Sequence, residues 1–130
     1  MSRITHEVCI LGAGPVGLAL ANCLARSPLI SSIAVIDRKL PKVLPTPHQL
    51  PNQRVFSINA PTLQFLERIG ALQRVRQMGR LENIEVLSKE SNSFIEWEEK
   101  SARIIENDEL VSALLLNLQE TKTSCKVDFI

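Results

Sequence analysis

VCILGAGPVGLALANCLA, residues 8–25, is the most apolar stretch of this 130-residue chain, and its reading decides the fold. A membrane-crossing helix needs about 20 consecutive apolar residues. Here Gly12, Gly14, Pro15 and Gly17 interrupt the first half, and Asn22 interrupts the second. No basic flank orients a span. The run starts too early for a transit peptide to precede it and lacks the basic segment of a secretory signal. The period also changes inside it. Residues 7–11, EVCIL, are apolar and β-favouring and read as a buried parallel strand. Residues 15–26, PVGLALANCLAR, read as a helix, with Pro15 in the first turn, Arg26 in the last and Pro28 beyond it.

GAGPVG joins the strand to the helix and fits GxGxxG. Each glycine has a physical task in a dinucleotide-binding turn. Gly12 permits the sharp turn, Gly14 leaves room for a pyrophosphate, and Gly17 lets the helix approach the strand. The helix N-terminus then offers amide donors and a partial positive charge. Ala13, Pro15 and Val16 complete the turn. Context strengthens an otherwise weak motif. IAVIDR, residues 33–38, is a second apolar β-type run, and its Asp37 lies 20 residues beyond Gly17. That is the spacing of an acid that accepts hydrogen bonds from an adenosine ribose, and it disfavours a 2′-phosphate. Taken alone, Asp37 is a solvated acid at a strand end. The fingerprint does not choose between FAD and NAD.

Composition bounds the rest. The chain is 45% hydrophobic and 22% charged, enough for one modest core, and its net charge of +1 gives no nucleic-acid-binding surface. Cys9, Cys23 and Cys125 are widely spaced, with only His6 and His48 beside them. That argues against a zinc site or disulfide framework and leaves the cysteines as small buried apolar residues. No metal site is expected.

Residues 38–53 hold four of the seven prolines and no period, so they form a long loop of the functional kind. A helix follows, with Asn59 as its N-cap, Pro61 in the first turn and Gly70 as its stop. Leu63, Leu66 and Ile69 share its apolar face. Residues 83–89 alternate as a half-exposed strand, and SNSFIEWEE returns as a hairpin partner with SNS at the turn. Trp97, the only tryptophan, is expected to pack. Glu96, Glu98, Glu99 and Glu106 form a solvated face. Leu110, Val111, Leu114, Leu115 and Leu118 mark one face of a further helix. CKVDFI reads as a third parallel strand.

Two segments carry a family resemblance. NQRVFSINAPTLQFLERIGAL and RIIENDELVSALLLNLQE resemble the flavin monooxygenases of ubiquinone (coenzyme Q) biosynthesis. That family has an Arg-Val-x-x-Ile pattern before a helix ending in Gly-Ala, and a Glu-Asn run entering a helix. LARSPLISSIAVIDRKLP resembles the insert of its eukaryotic, mitochondrial branch. The resemblance covers nearly the whole chain, with ESNSFIEWEEKS only loosely matched.

The resemblance implies an α/β, Rossmann-like FAD-binding domain: a parallel sheet with helices and a small β excursion. It makes residues 1–130 the N-terminal part of that domain, without the substrate lobe and C-terminal region. The later fingerprints of the family are not in this sequence, so the expectation is a truncated chain. FAD would be the cofactor. Gly12, Ala13, Gly14, Pro15, Val16, Gly17, Asp37 and Arg38 would hold its ADP half. Arg54 would lie near the pyrophosphate and ribityl chain, with Asn107 on the same linker. By its residue type alone, Arg54 reads as a solvated arginine and Asn107 as a helix N-cap. The implied reaction is hydroxylation of a polyprenylated phenol by a flavin C4a-hydroperoxide. Its implied partners are an electron donor and a ubiquinone-biosynthesis complex, with no nucleic acid and no transmembrane helix. The implied place is the mitochondrial inner membrane, peripherally, or, for a bacterial protein, the cytoplasm beside its membrane. No catalytic residue is named in this chain. Alternatives are another flavoprotein of this architecture, squalene-epoxidase-like or a polyprenyl reductase, and a catalytically silent short isoform.

Overall fold

A computed structural model describes residues 5–45, 53–98 and 100–130. The opening stretch forms β1 (Val8–Leu11) and α1 (Pro15–Ala25), with Arg26 as the C-cap just beyond the last turn. β2 (Ser32–Ile36) pairs parallel to β1, with Val8 opposite Ile33 and Leu11 opposite Ile36. The chain's last strand, β8 (Lys126–Phe129), pairs parallel to the other edge of β2. The three-stranded order β1-β2-β8 is the expected parallel sheet. Central β2 buries Ile33, Ala34 and Val35 in succession, as a strand covered on both faces must.

β1 departs from the sequence reading. Only Ile10 is fully buried, while Cys9 and Leu11 are exposed, Leu11 at 82%. α1 covers one face of β1, and the alternation of side chains leaves Cys9 and Leu11 on the other. Cys23 is exposed as well, on an α1 stripe with Val16 and Leu20. Of the three cysteines only Cys125 is buried, and burial raises its thiol pKa.

A second, antiparallel sheet has no counterpart in the sequence reading. β3 (Val55–Ile58) pairs with β7 (Arg103–Glu106), Val55 opposite Glu106, and β4 (Gly79–Arg80) borders β7. α2 (Ala60–Arg68) follows β3. Its cap is the expected one: Asn59 Oδ1 accepts the Thr62 N–H at 3.0 Å. Its stop is also the expected one. Gly70 takes φ +82, Gly70 N–H donates to Glu67 O, and Ala71 N–H donates to Leu66 O. Those paired bonds close a helix around a left-handed residue. A 3-10 turn, Leu72–Arg74, leads towards β4.

α3 (Asn107–Glu120) lies against α1. Leu18 of α1 and Leu114 of α3 are completely buried, with Ile58, Leu66, Ile69 and Ile105 around them. A full side-chain burial of this kind stabilises by about 1.5–3 kcal/mol. A buried amide pair crosses the same contact. Asn22 Nδ2 donates to Leu18 O and Leu114 O at 2.8 and 3.0 Å. Asn117 Nδ2 donates to Asn22 Oδ1 at 2.7 Å and Ile69 O at 2.8 Å. The pair fixes α1, α3 and the end of α2 in one register.

β5 (Asn83–Ser88) and β6 (Ser93–Glu98) form the expected hairpin, Ser88 opposite Ser93. The turn falls at residues 89–92, with Asn92 at φ 51, so it begins earlier than SNS. Trp97 pairs with Ile84 and remains 43% exposed, so it does not pack into the core of the described residues. Glu96 and Glu98 are exposed and Glu106 is half-buried. Glu99, and residues 46–52 of the expected loop with His48, lie outside the described residues.

Candidate cofactor-binding cleft

The glycine turn sets the geometry. Gly12 takes φ +107, which only glycine adopts at low cost. Its amide donates to the Ile36 carbonyl at 2.8 Å, tying the turn to the end of β2. Gly14 caps α1 in an extended conformation, and no side chain completes the cap. A Cβ built on Gly14 meets nothing within 4 Å. A Cβ on Gly17 overlaps the Gly12 carbonyl oxygen and lies 3.3 Å from Ile10 Cγ2. One glycine therefore keeps space open, and another lets helix and strand touch. The first amides of α1 have no intrahelical acceptor, and the helix dipole favours an anion beside them.

Asp37 follows β2 directly. Its Oδ2 accepts the Ala13 N–H at 2.7 Å and its Oδ1 accepts the Lys39 N–H at 3.1 Å. These two amides, Ala13 first, hold its carboxyl below the usual carboxylate range. Asp37 is thus an ionised acceptor bound to the glycine turn itself.

Arg54 enters the site from the start of β3 and Asn107 from α3. The Arg54 carbonyl accepts the Asn107 N–H at 2.9 Å, which joins the two elements. The Arg54 guanidinium carbon lies 5.5 Å from the Phe56 ring centre, within cation–π range. The N-cap reading of Asn107 is overturned. Glu106 occupies the cap position and Asn107 is the first helical residue. Its Nδ2 donates to Asp108 Oδ1 at 2.8 Å.

Ala13, Gly14, Pro15, Asp37, Arg54 and Asn107 line one open cleft of about 460 Å³. Gly12, Val16 and Gly17 instead line a hollow beside Cys9 and Leu11, and Arg38 is exposed and does not line the cleft. The sequence reading missed Lys39, Leu40, Pro41, Lys42 and Leu44, which form one wall, and Asp108 and Val111 on α3. The only signal for that wall is the proline-rich loop after the acid. An apolar groove of about 670 Å³ adjoins the cleft and shares Pro15 and Arg54 with it.

The FAD binding domain family matches residues 5–127. This chain belongs to that family. Its cofactor is FAD, and the residues present fit the ADP half: open space before Gly14, first-turn amides without intrahelical acceptors, an ionised Asp37 and a cation at Arg54. Solved structures share the fold of this FAD-binding domain at low identity. The flavin-dependent monooxygenase PieE, in complex with FAD and substrate, matches at TM-score 0.67 and 18% identity, over 99% of this chain and 24% of its own. The p-nitrophenol 4-monooxygenase PnpA of Pseudomonas putida DLL-E4 matches at 0.66 and 16%, over 95% and 31%. Klebsiella pneumoniae HpxO, complexed with FAD and uric acid, matches at 0.59 and 14%, over 95% and 30%. The chain thus spans a third or less of each of these structures. No curated protein matches the sequence.

Proposed function

We propose that this FAD-binding domain serves a flavin-dependent aromatic hydroxylase, and that its substrate is a polyprenylated phenol of ubiquinone biosynthesis. The observation that carries the reading is the convergence of Gly14, Asp37, Arg54 and Asn107 on one cleft from four separate segments. Family membership supplies FAD, the solved monooxygenases support oxygen transfer, and the Arg54 and Glu106–Asn107 segments support the ubiquinone branch. Bound FAD would supply activation of dioxygen and transfer of one oxygen atom to the ring.

This chain's own residues bind and orient. The α1 amides and Gly14 receive the pyrophosphate, and no side chain separates it from the backbone. Asp37 accepts from the adenosine ribose hydroxyls, already pointed by the Ala13 amide. Arg54 neutralises phosphate charge at the boundary between the cleft and the apolar groove. Asn107 offers an amide to the linker. None of these groups moves a proton in the reaction. An electron donor and a ubiquinone-biosynthesis complex would be the partners, peripheral to the mitochondrial inner membrane. No helix among the described residues is long and apolar enough to cross a membrane. The test is a hydroxylation assay of the whole protein with a polyprenylated phenol, read by mass spectrometry. One added oxygen on the ring supports the reading. Turnover of simple phenols with none of the prenylated ring overturns the substrate assignment.

A further inference from the structure

We propose that Ser112, Arg76 and Glu109 form a positioning unit that sets FAD affinity by holding residues 37–45 as a wall of the cleft. This rests on the cleft being the FAD site. The wall has no regular secondary structure between β2 and its last described residue, Pro45. Left to itself such a segment samples many conformers, and ordering it on binding weakens affinity. Two anchors hold its far end. Leu44 N–H donates to Ser112 Oγ at 2.9 Å, and Arg76 Nη1 donates to the Pro45 carbonyl at 3.2 Å.

Both anchors are rooted in α3. Ser112 is buried in it. Arg76 is gripped by Glu109, whose side chain is 3% exposed. Glu109 Oε1 accepts Arg76 N–H and Nε–H at 2.6 and 3.2 Å, and Oε2 accepts Nη2–H at 2.9 Å. A buried carboxylate is tolerable only when paired in this way, and the pairing aims the remaining Arg76 nitrogen at the wall. The same two turns of α3 place Asn107, Asp108 and Val111 on the cleft. One helix therefore contributes residues to the cleft and roots the anchors of its wall. The near end is fixed by the Lys39 amide on Asp37. A wall already ordered keeps the binding-competent fraction high, and loosening it divides the dissociation constant by the fraction that remains, which weakens binding.

The experiment uses the whole protein and three variants: Ser112→Ala, Ser112→Thr and Asp37→Ala. The readouts are FAD dissociation constant by flavin fluorescence, amide exchange over residues 39–44, and melting temperature without FAD. Ser112→Ala removes one acceptor. It should raise the FAD dissociation constant about fivefold and speed exchange over 39–44, with the FAD-free melting temperature within about 2 °C of wild type. Ser112→Thr keeps the hydroxyl and should restore affinity and protection. If Asp37→Ala weakens FAD binding while Ser112→Ala changes neither affinity nor exchange, the positioning unit is overturned and the cleft stands. If Asp37→Ala leaves FAD affinity unchanged, both fall.

Discussion

Gly14→Ala and Gly17→Ala separate what the turn does for FAD from what it does for the fold. At Gly14 the backbone has φ −77, which alanine adopts freely, and the new Cβ meets nothing within 4 Å. Alanine is a poorer N-cap than glycine by several tenths of a kcal/mol, and it reduces unfolded-state freedom by about 0.4–1 kcal/mol. The two effects offset, so FAD-free stability should change by less than about 0.5 kcal/mol. FAD affinity should fall, because the methyl stands where the pyrophosphate approaches the backbone. At Gly17 the balance reverses. The Cβ overlaps the Gly12 carbonyl oxygen and crowds Gly12 C at 3.1 Å and Ile10 Cγ2 at 3.3 Å. Relief needs α1 to move on the order of 1 Å away from β1 to restore ordinary contact distances. Overpacking of that kind costs about 3 kcal/mol, against about 1 kcal/mol gained in helix propensity. Net destabilisation near 2 kcal/mol should lower the melting temperature of the FAD-free protein by about 6 °C. Thermal unfolding with and without FAD measures both. Equal melting temperatures for the two FAD-free variants would refute the steric argument.

Asp37→Ala should raise the FAD dissociation constant on the order of tenfold, by loss of charge-assisted acceptance; equilibrium titration checks it. The Asp37 carboxyl is held below its ordinary value, so its stabilising contribution is present above about pH 4 and is lost as pH falls through the folded value. Acid unfolding of wild type should therefore show a limb below about pH 4 that Asp37→Asn reduces. Arg54→Gln should weaken FAD binding about tenfold and flatten its salt dependence, measured by titration at two ionic strengths. Asn117→Ala removes the donor to Asn22 Oδ1 and Ile69 O. It should cost about 3 kcal/mol in denaturant unfolding at unchanged m-value.

Local patterns were the legible part of this protein. The glycine turn, α1, β2 with Asp37, the capped α2 and the β5–β6 hairpin each announce themselves within a few residues, because caps, turns and periods are short-range physics. β3 and β7 did not. Each is four residues long and each runs into a helix. Val55 stands opposite Glu106 and Ile58 opposite Arg103, so the paired positions lie 51 (106 − 55) and 45 (103 − 58) residues apart in the chain. No local period reports a pairing over that distance, which tertiary packing alone decides.

The site divides the same way. Gly14 and Asp37 were legible from spacing, and the existence of a loop after the acid, though not its role, from its prolines. The wall at Lys39–Leu44 and its anchors on Ser112 and Arg76 were not, because buried polar partners on a distant helix leave no periodic signature. Cys9 and Cys23 were misplaced because apolar composition does not say which face of β1 or α1 is covered. Asn107 was displaced from the cap by Glu106, one residue earlier, a boundary that sequence fixes only loosely.

Competition for the cleft tests the central claim most directly. FAD is titrated into the whole protein with ADP or FMN present as rival. On the proposed reading the cleft takes the ADP half, through Gly14, the α1 amides and Asp37. ADP should therefore displace FAD competitively, and Asp37→Ala should weaken ADP and FAD together. Displacement by FMN with no effect of ADP, or ADP binding indifferent to Asp37→Ala, would contradict the account.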